Sequence, residues 1–138
     1  MRKLGLDLGN RTLGIALSDE FGFLASGIET FRFTEKDFRS ALDYTIKVIL
    51  QYNVDVVVLG LPKNMDGSLG EQAELTKQFK VDLEKESNIK VVFWDERLTS
   101  RMASNMMKSQ NLKRKKRKED IDKMAAIIIL QGYLDSQR

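Results

Sequence analysis

The spacing of apolar residues switches along the chain between a period of two and a period near 3.6. Residues 2–8 alternate weakly and end in Asp7-Leu8-Gly9, and an apolar run resumes from Leu13 to Leu17. A tight glycine-containing turn between the two runs predicts an antiparallel hairpin. Residues 26–33 predict a third strand with Ile28, Thr30 and Arg32 on one face. The period then lengthens. Thr34, with Asp37 three positions later, has the form of a capping box, and Phe38, Leu42, Ile46 and Ile49 recur at helical spacing.

Val54 to Leu59 is a β-branched run without polar alternation, which suits a buried strand covered on both faces. Gly60-Leu61-Pro62 ends it, a loop carries Asn64, Asp66, Gly67, Ser68 and Gly70, and a helix is predicted from Glu71 to Glu86. Ile89 to Trp94 is the next buried strand and runs into Asp95-Glu96-Arg97. Thr99 or Ser100 then caps a short helix to about Lys108, a basic segment follows, and a last helix spans Glu119 to Leu134. The predicted order is βββ-α-β-α-β-α-α. An antiparallel hairpin that feeds parallel strands with crossover helices makes a mixed α/β sheet. No repeat or Pro/Gly/Ser-rich linker interrupts the chain, so residues 1–138 are expected to form a single domain.

Composition narrows the chemistry. The chain has no cysteine and no histidine, which excludes disulfides, thiol nucleophiles, imidazole bases and Cys/His zinc sites. Catalysis is left to carboxylates, lysines, hydroxyls or a bound ion, and carboxylates with a hard, oxygen-loving cation are the simplest of these. The longest apolar stretches, such as Ala125 to Leu130, fall far short of the ~20 residues of a membrane span. The first strand begins at once, without a signal-peptide pattern, so a cytoplasmic location and no membrane partner are expected.

The net charge of +3 conceals an uneven distribution. Six basic residues are consecutive, Lys113, Arg114, Lys115, Lys116, Arg117 and Lys118. Taking those six from the 23 leaves 17 against 20 acidic residues, a balance of −3. A concentrated cationic segment suits contact with a polyanion, and the alternative is a solvated loop that aids solubility.

Three carboxylates fall where such chemistry would gather. Asp7 closes the first strand. Glu96 lies just past the strand that ends in Trp94, beyond the C-terminal strand ends where open α/β sheets bind ligands. Asp122 lies near the start of the last helix, beside Ile121, Met124, Ala125 and Ile128, which are expected to face the core. Each has a plainer alternative. Asp7 can form a turn, Asp95 or Glu96 can pair with Arg97, and Asp122 can favour the positive end of the helix dipole. Together they would repel one another unless a cation sat among them, and magnesium suits a site with few protein carboxylates.

The strings LGLDLGNRTLGIALSD (residues 4–19), GLPKNMDGSLGEQAE (60–74), WDERLTS (94–100) and KEDIDKMAAIIILQGYL (118–134) together resemble the YqgF/RuvX family. The resemblance covers essentially the whole chain in order. It implies an RNase H-like, RuvC-like mixed sheet with helices on both faces. It also implies an acid triad at Asp7, Glu96 and Asp122. The implied activity is that of a nuclease maturing the 5′ end of pre-16S rRNA, and the family also carries the label of Holliday-junction resolvase. At one position the chain departs from the family. Thr12 stands where a basic residue usually precedes the apolar-Gly pair, and Arg11 lies one earlier.

The implied chemistry is hydrolysis assisted by magnesium (Mg2+) or manganese, with two ions about 3.5–4 Å apart when substrate is bound. Asp7 would bridge them, and the products would be a 5′-phosphate and a 3′-hydroxyl. RNA is the favoured partner and a DNA junction the alternative. Arg11, Asn64, Ser68, Arg97 and the run Lys113–Lys118 are the expected nucleic-acid contacts. The chain would act as a monomer or homodimer, a four-way junction requiring two sites. Two other readings compete. In actin-like ATPases and sugar kinases an Asp-x-Gly cradles nucleotide phosphates, but between two such domains. A non-catalytic nucleic-acid-binding module would need the basic run but not the acids.

Overall fold

The computed structural model describes residues 1–62, 70–95 and 114–137, with the side chains of 114–122 left undescribed. Five strands form one sheet: β1 (Arg2–Leu8), β2 (Thr12–Ser18), β3 (Ala25–Arg32), β4 (Val54–Leu61) and β5 (Lys90–Asp95). Three helices accompany them among the described residues: α1 (Phe38–Tyr52), α2 (Glu71–Ser87) and α3 (Arg114–Ser136). The strand order is β3-β2-β1-β4-β5. β2 is antiparallel to β1 and β3, while β4 is parallel to both β1 and β5. The expected mixed sheet is present.

Alternation along β1 sorts the two layers. Leu4, Leu6 and Leu8 point into a cluster with Leu13, Ile15, Val57, Leu59 and the inner faces of α1 and α2. The opposite face of the sheet gives Ala16, Val56 and Val58 to a second cluster with Ala126, Ile129, Leu130 and Leu134 of α3. Helices therefore cover both faces, which is why β4 carries almost no polar residue.

Several local expectations are revised. The α1 cap is Asp37, not Thr34: its carboxylate accepts from the Ser40 backbone N–H (3.3 Å) and hydroxyl (2.7 Å). Residues 34–37 instead form a turn in which the Asp37 N–H donates to the Thr34 carbonyl, with Lys36 in the left-handed region (φ 63°). In β3 a register shift opposite Ile15/Ala16 breaks the alternation. Ile28 consequently packs with Phe31 on the α1/α2 side, and not with Thr30 and Arg32.

The last helix is already formed at Arg114, five residues before the expected Glu119, so Arg114–Lys118 belong to it. Lys and Arg are good helix formers, and no Gly or Pro breaks the run. The buried stripe is also shifted by one residue. It runs through Ala125, Ala126, Ile129, Leu130 and Leu134, while Met124 and Ile128 are only half-buried. The expected short helix from Thr99 or Ser100 to Lys108 lies outside the described residues.

Candidate active site at the strand ends

Asp7 is the penultimate residue of β1 and shares the α3 side of the sheet with Gly5, since residues two apart on a strand face the same way. Its cross-strand partner on β2 is Gly14. On the other side Leu6 pairs with Leu59, and Gly60 stands one residue beyond that pair, itself matched to Trp94 on β5. Asp7 thus has a glycine close by on each neighbouring strand.

The placement of α3 over this region follows from a close crossing. A Cβ on Gly5 would lie 2.6 Å from Leu130 Cβ and 2.9 Å from the Ala126 carbonyl oxygen. Only glycine lets the helix approach so near. The direction of α3 comes from its other contacts. Gln131 accepts from the Ala25 N–H at the start of β3, whereas Lys123 and Ile127 lie against Gly27, further along that strand. Because β3 and β1 run the same way, lower helix numbers lie nearer the C-terminal end of β1. From the Gly5 crossing, two residues along β1 advance about 6.6 Å to Asp7. From the stretch Ala126–Leu130 that crosses Gly5, four to eight residues back along α3 advance about 6–12 Å to Asp122. Both positions therefore lie toward the same end of the sheet.

The longer helix also changes the reading of Asp122. It lies eight residues inside α3, about 12 Å from the helix start and beyond the first turn where the dipole acts. Its backbone position falls one turn before Ala126 and two before Ile129 and Leu130. Its side chain lies outside the described residues, as does the whole of Glu96, which follows Asp95 at the end of β5.

Among the expected nucleic-acid contacts, Arg11 lies in the β1–β2 turn at the Asp7 end. That turn is closed by the Gly9 N–H donating to the Thr12 carbonyl (2.8 Å). The Arg11 and Asn10 carbonyls accept from the Phe33 and Lys36 N–H groups, which binds the turn to the segment before α1. The Arg11 guanidinium meets Glu35 at 3.2 Å, with both side chains more than half exposed. Such a pair adds little stability and can yield to a phosphate. Arg114, Lys115, Lys116, Arg117 and Lys118 are helical, with side chains outside the described residues. Asn64, Ser68, Arg97 and Lys113 lie wholly outside them.

Two residues at this end were not anticipated. Gln72, in the first turn of α2, donates to the Leu8 carbonyl (3.2 Å) and fastens that helix to the end of β1. Lys36 presents an exposed ammonium 3.8 Å from Glu71. No periodic signal marks either one, since a left-handed lysine and a side-chain-to-strand bond leave no spacing pattern. Among the described residues no group of three Asp, Glu, His or Cys side chains is assembled for a metal. No described helix is long and apolar enough to cross a membrane.

Comparison with known proteins follows the same outline. A Bacillus subtilis (strain 168) protein named "Putative pre-16S rRNA nuclease" is 51% identical over 136 residues, spanning 99% of both chains. A Bacillus mycoides (strain KBAB4) protein of the same name is 48% identical over 137 residues, 99% of this chain and 100% of the relative. Among solved structures, Thermus thermophilus RuvC in complex with a Holliday junction substrate superposes with a TM-score of 0.64 at 14% identity. The match covers 99% of this chain and 95% of RuvC. The fowlpox virus Holliday junction resolvase gives 0.57 at 18% identity, covering 99% of each chain. At such identities the likeness establishes the shared RNase H-like fold. The profile of the RuvX family, described as Holliday junction resolvase, matches residues 1–136, and the chain belongs to that family.

Proposed function

We propose that this chain is a metal-assisted nuclease that hydrolyses phosphodiesters of precursor 16S rRNA, with Asp7, Glu96 and Asp122 as its acid set. The observation that supports the proposal is the Gly5 crossing, from which Asp7 on β1 and residue 122 on α3 both lie toward the same end of the sheet. The names of full-length relatives at about half identity support the substrate.

The surroundings of Asp7 fit a hard divalent cation. With no His or Cys in the chain the available donors are carboxylates, which suit such a cation, and glycines, not bulky residues, stand near Asp7 on both neighbouring strands. A bound Mg2+ or Mn2+ would lower the pKa of a coordinated water and stabilise the leaving oxygen. Asp7 on β1, Asp122 on α3 and Glu96, next in sequence after β5, would hold the ion. Arg11 and the cationic first turns of α3 would bind backbone phosphates on either side of the cut, giving salt-dependent affinity with little sequence preference.

A cleavage assay at low salt tests this. The substrates are an end-labelled RNA spanning the 5′ end of 16S rRNA, a single-stranded DNA of the same sequence, and a four-way DNA junction. Each is incubated with Mg2+, Mn2+ or a chelator. The proposal expects metal-dependent RNA cleavage leaving a 5′-phosphate. Preferential symmetric cutting of the junction would instead assign a resolvase. Binding without cutting in every metal would leave a nucleic-acid-binding module.

A further inference from the structure

The described residues expose six large hydrophobic side chains, and four of them lie on Met1 and the β2–β3 turn, at the end of the sheet opposite Asp7. Met1 is 62% exposed, Phe21 80%, Phe23 57% and Leu24 64%. Leu50, 78% exposed, lies in the last turn of α1, which ends at the same pole. The catalytic proposal uses none of them, and such a concentration of exposed apolar surface marks a contact site.

The turn that carries the phenylalanines is firmly built. Asp19 accepts from the Phe23 and Leu24 N–H groups (2.8 and 3.3 Å), and its own N–H donates to the Leu24 carbonyl (3.1 Å). Gly22 takes a positive φ of 76°, where a side chain would be strained. From α3, Gln131 donates to the Phe23 carbonyl (2.9 Å) and accepts from the Ala25 N–H (2.9 Å). Phe21 is therefore presented on a pre-organised support, and little ordering entropy is lost when it is covered.

Beside this knob lies a hollow. A surface cavity of about 450 Å³ is lined by Met1, Arg2, Glu20, Phe21, Gln51 and Tyr52. A projecting aromatic and an adjoining recess on one patch are the parts of an isologous interface, in which each copy fills the other. The patch also carries both charge signs, Arg2 and Glu20, 3.9 Å apart, so two copies related by a two-fold axis can match opposite charges. Asp19 and Glu20 at the root of the knob disfavour a nucleic-acid partner.

We propose that this pole is a homodimer interface in which Phe21 of each copy enters the hollow beside Phe21 of the other. The two Asp7 sites then lie at the far ends of the dimer and face apart. Each would process a separate strand, and two cuts across one compact junction would not come from one dimer.

Sedimentation equilibrium of the full chain from about 1 to 200 µM tests the proposal, since that range detects dissociation constants on the order of micromolar. The expected result is a monomer–dimer equilibrium whose dissociation constant rises at least about tenfold in Phe21→Lys, with thermal unfolding of the dilute monomer unchanged. A second variant, Gln51→Arg on the wall of the hollow, should weaken the dimer similarly. A wild-type monomer throughout the range would overturn the proposal. So would a dimer that both variants leave intact, which would place the interface elsewhere.

Discussion

Gly5 on β1 and Ala126 on α3 meet so closely that a Cβ on the glycine would stand 2.9 Å from the alanine carbonyl oxygen. This contact sets the height of α3 above the sheet, and through it the relation of Asp122 to Asp7. Gly5→Ala should therefore cost about 1–3 kcal/mol by overpacking. Because the helix must lift, cleavage should fall by more than the loss of folded protein accounts for. Urea denaturation and single-turnover cleavage, measured under conditions where the variant is fully folded, separate the two effects.

The cap of α1 is assigned to Asp37, and the assignment is sharp enough to test by a pair of substitutions. Asp37→Ala removes the acceptor for Ser40 and should destabilise the protein by about 1 kcal/mol. Thr34→Ala, at an exposed residue that engages the turn through its backbone carbonyl, should stay within about 0.5 kcal/mol of wild type. Chemical denaturation midpoints decide between them. Equal losses at both positions would restore Thr34 as the cap.

Tyr44 stacks on Phe31 (4.1 Å between centroids) and donates its hydroxyl to Glu29. That hydrogen bond to a carboxylate, with some burial, pushes the phenol pKa up to about 12. A raised tyrosine pKa contributes stability that is complete below the unfolded value near 10 and is lost as pH climbs toward 12. Near-ultraviolet absorbance should show one of the three tyrosines titrating late, and Tyr44→Phe should remove that late phase together with the alkaline loss of stability.

The cationic turns of α3 make a prediction about salt. Replacing Lys115, Lys116 and Arg117 by alanine preserves helix propensity, so the helix should persist by circular dichroism. The slope of log affinity against log salt should fall by about 0.7–0.9 for each phosphate contact removed. An unchanged slope would make this segment a solvated helix end with no part in binding.

Much of the architecture is legible in the residue pattern, and the departures have local causes. The apolar run Val54–Leu61 and the alternation of Leu4, Leu6 and Leu8 announce strands because burial on one or both faces leaves a periodic mark. The β3 bulge leaves none: Ile28 changes sides through one extra residue that the sequence does not distinguish. The cap of α1 was displaced because Lys36 takes a left-handed conformation that lysine seldom adopts, spending Thr34–Lys36 on a turn. The start of α3 was missed because a run of six cations suggests solvent, although each favours helix. Asp7 was legible from its place at a strand end beside Gly14. That residue 122 lies toward the same end of the sheet was not, since it depends on where a distant helix crosses Gly5.

The central claim is that Asp7 and Asp122 belong to one metal-dependent site, and single-turnover cleavage of the 5′ precursor RNA tests it most directly. Wild type, Asp7→Asn, Asp122→Asn and the double variant are compared in Mn2+ and in chelator. The account predicts that each single substitution lowers the rate at least about a hundredfold and that the double variant is no worse than either, as for groups that act as a unit. Cleavage that survives in Asp7→Asn, or that proceeds equally in chelator, would contradict it.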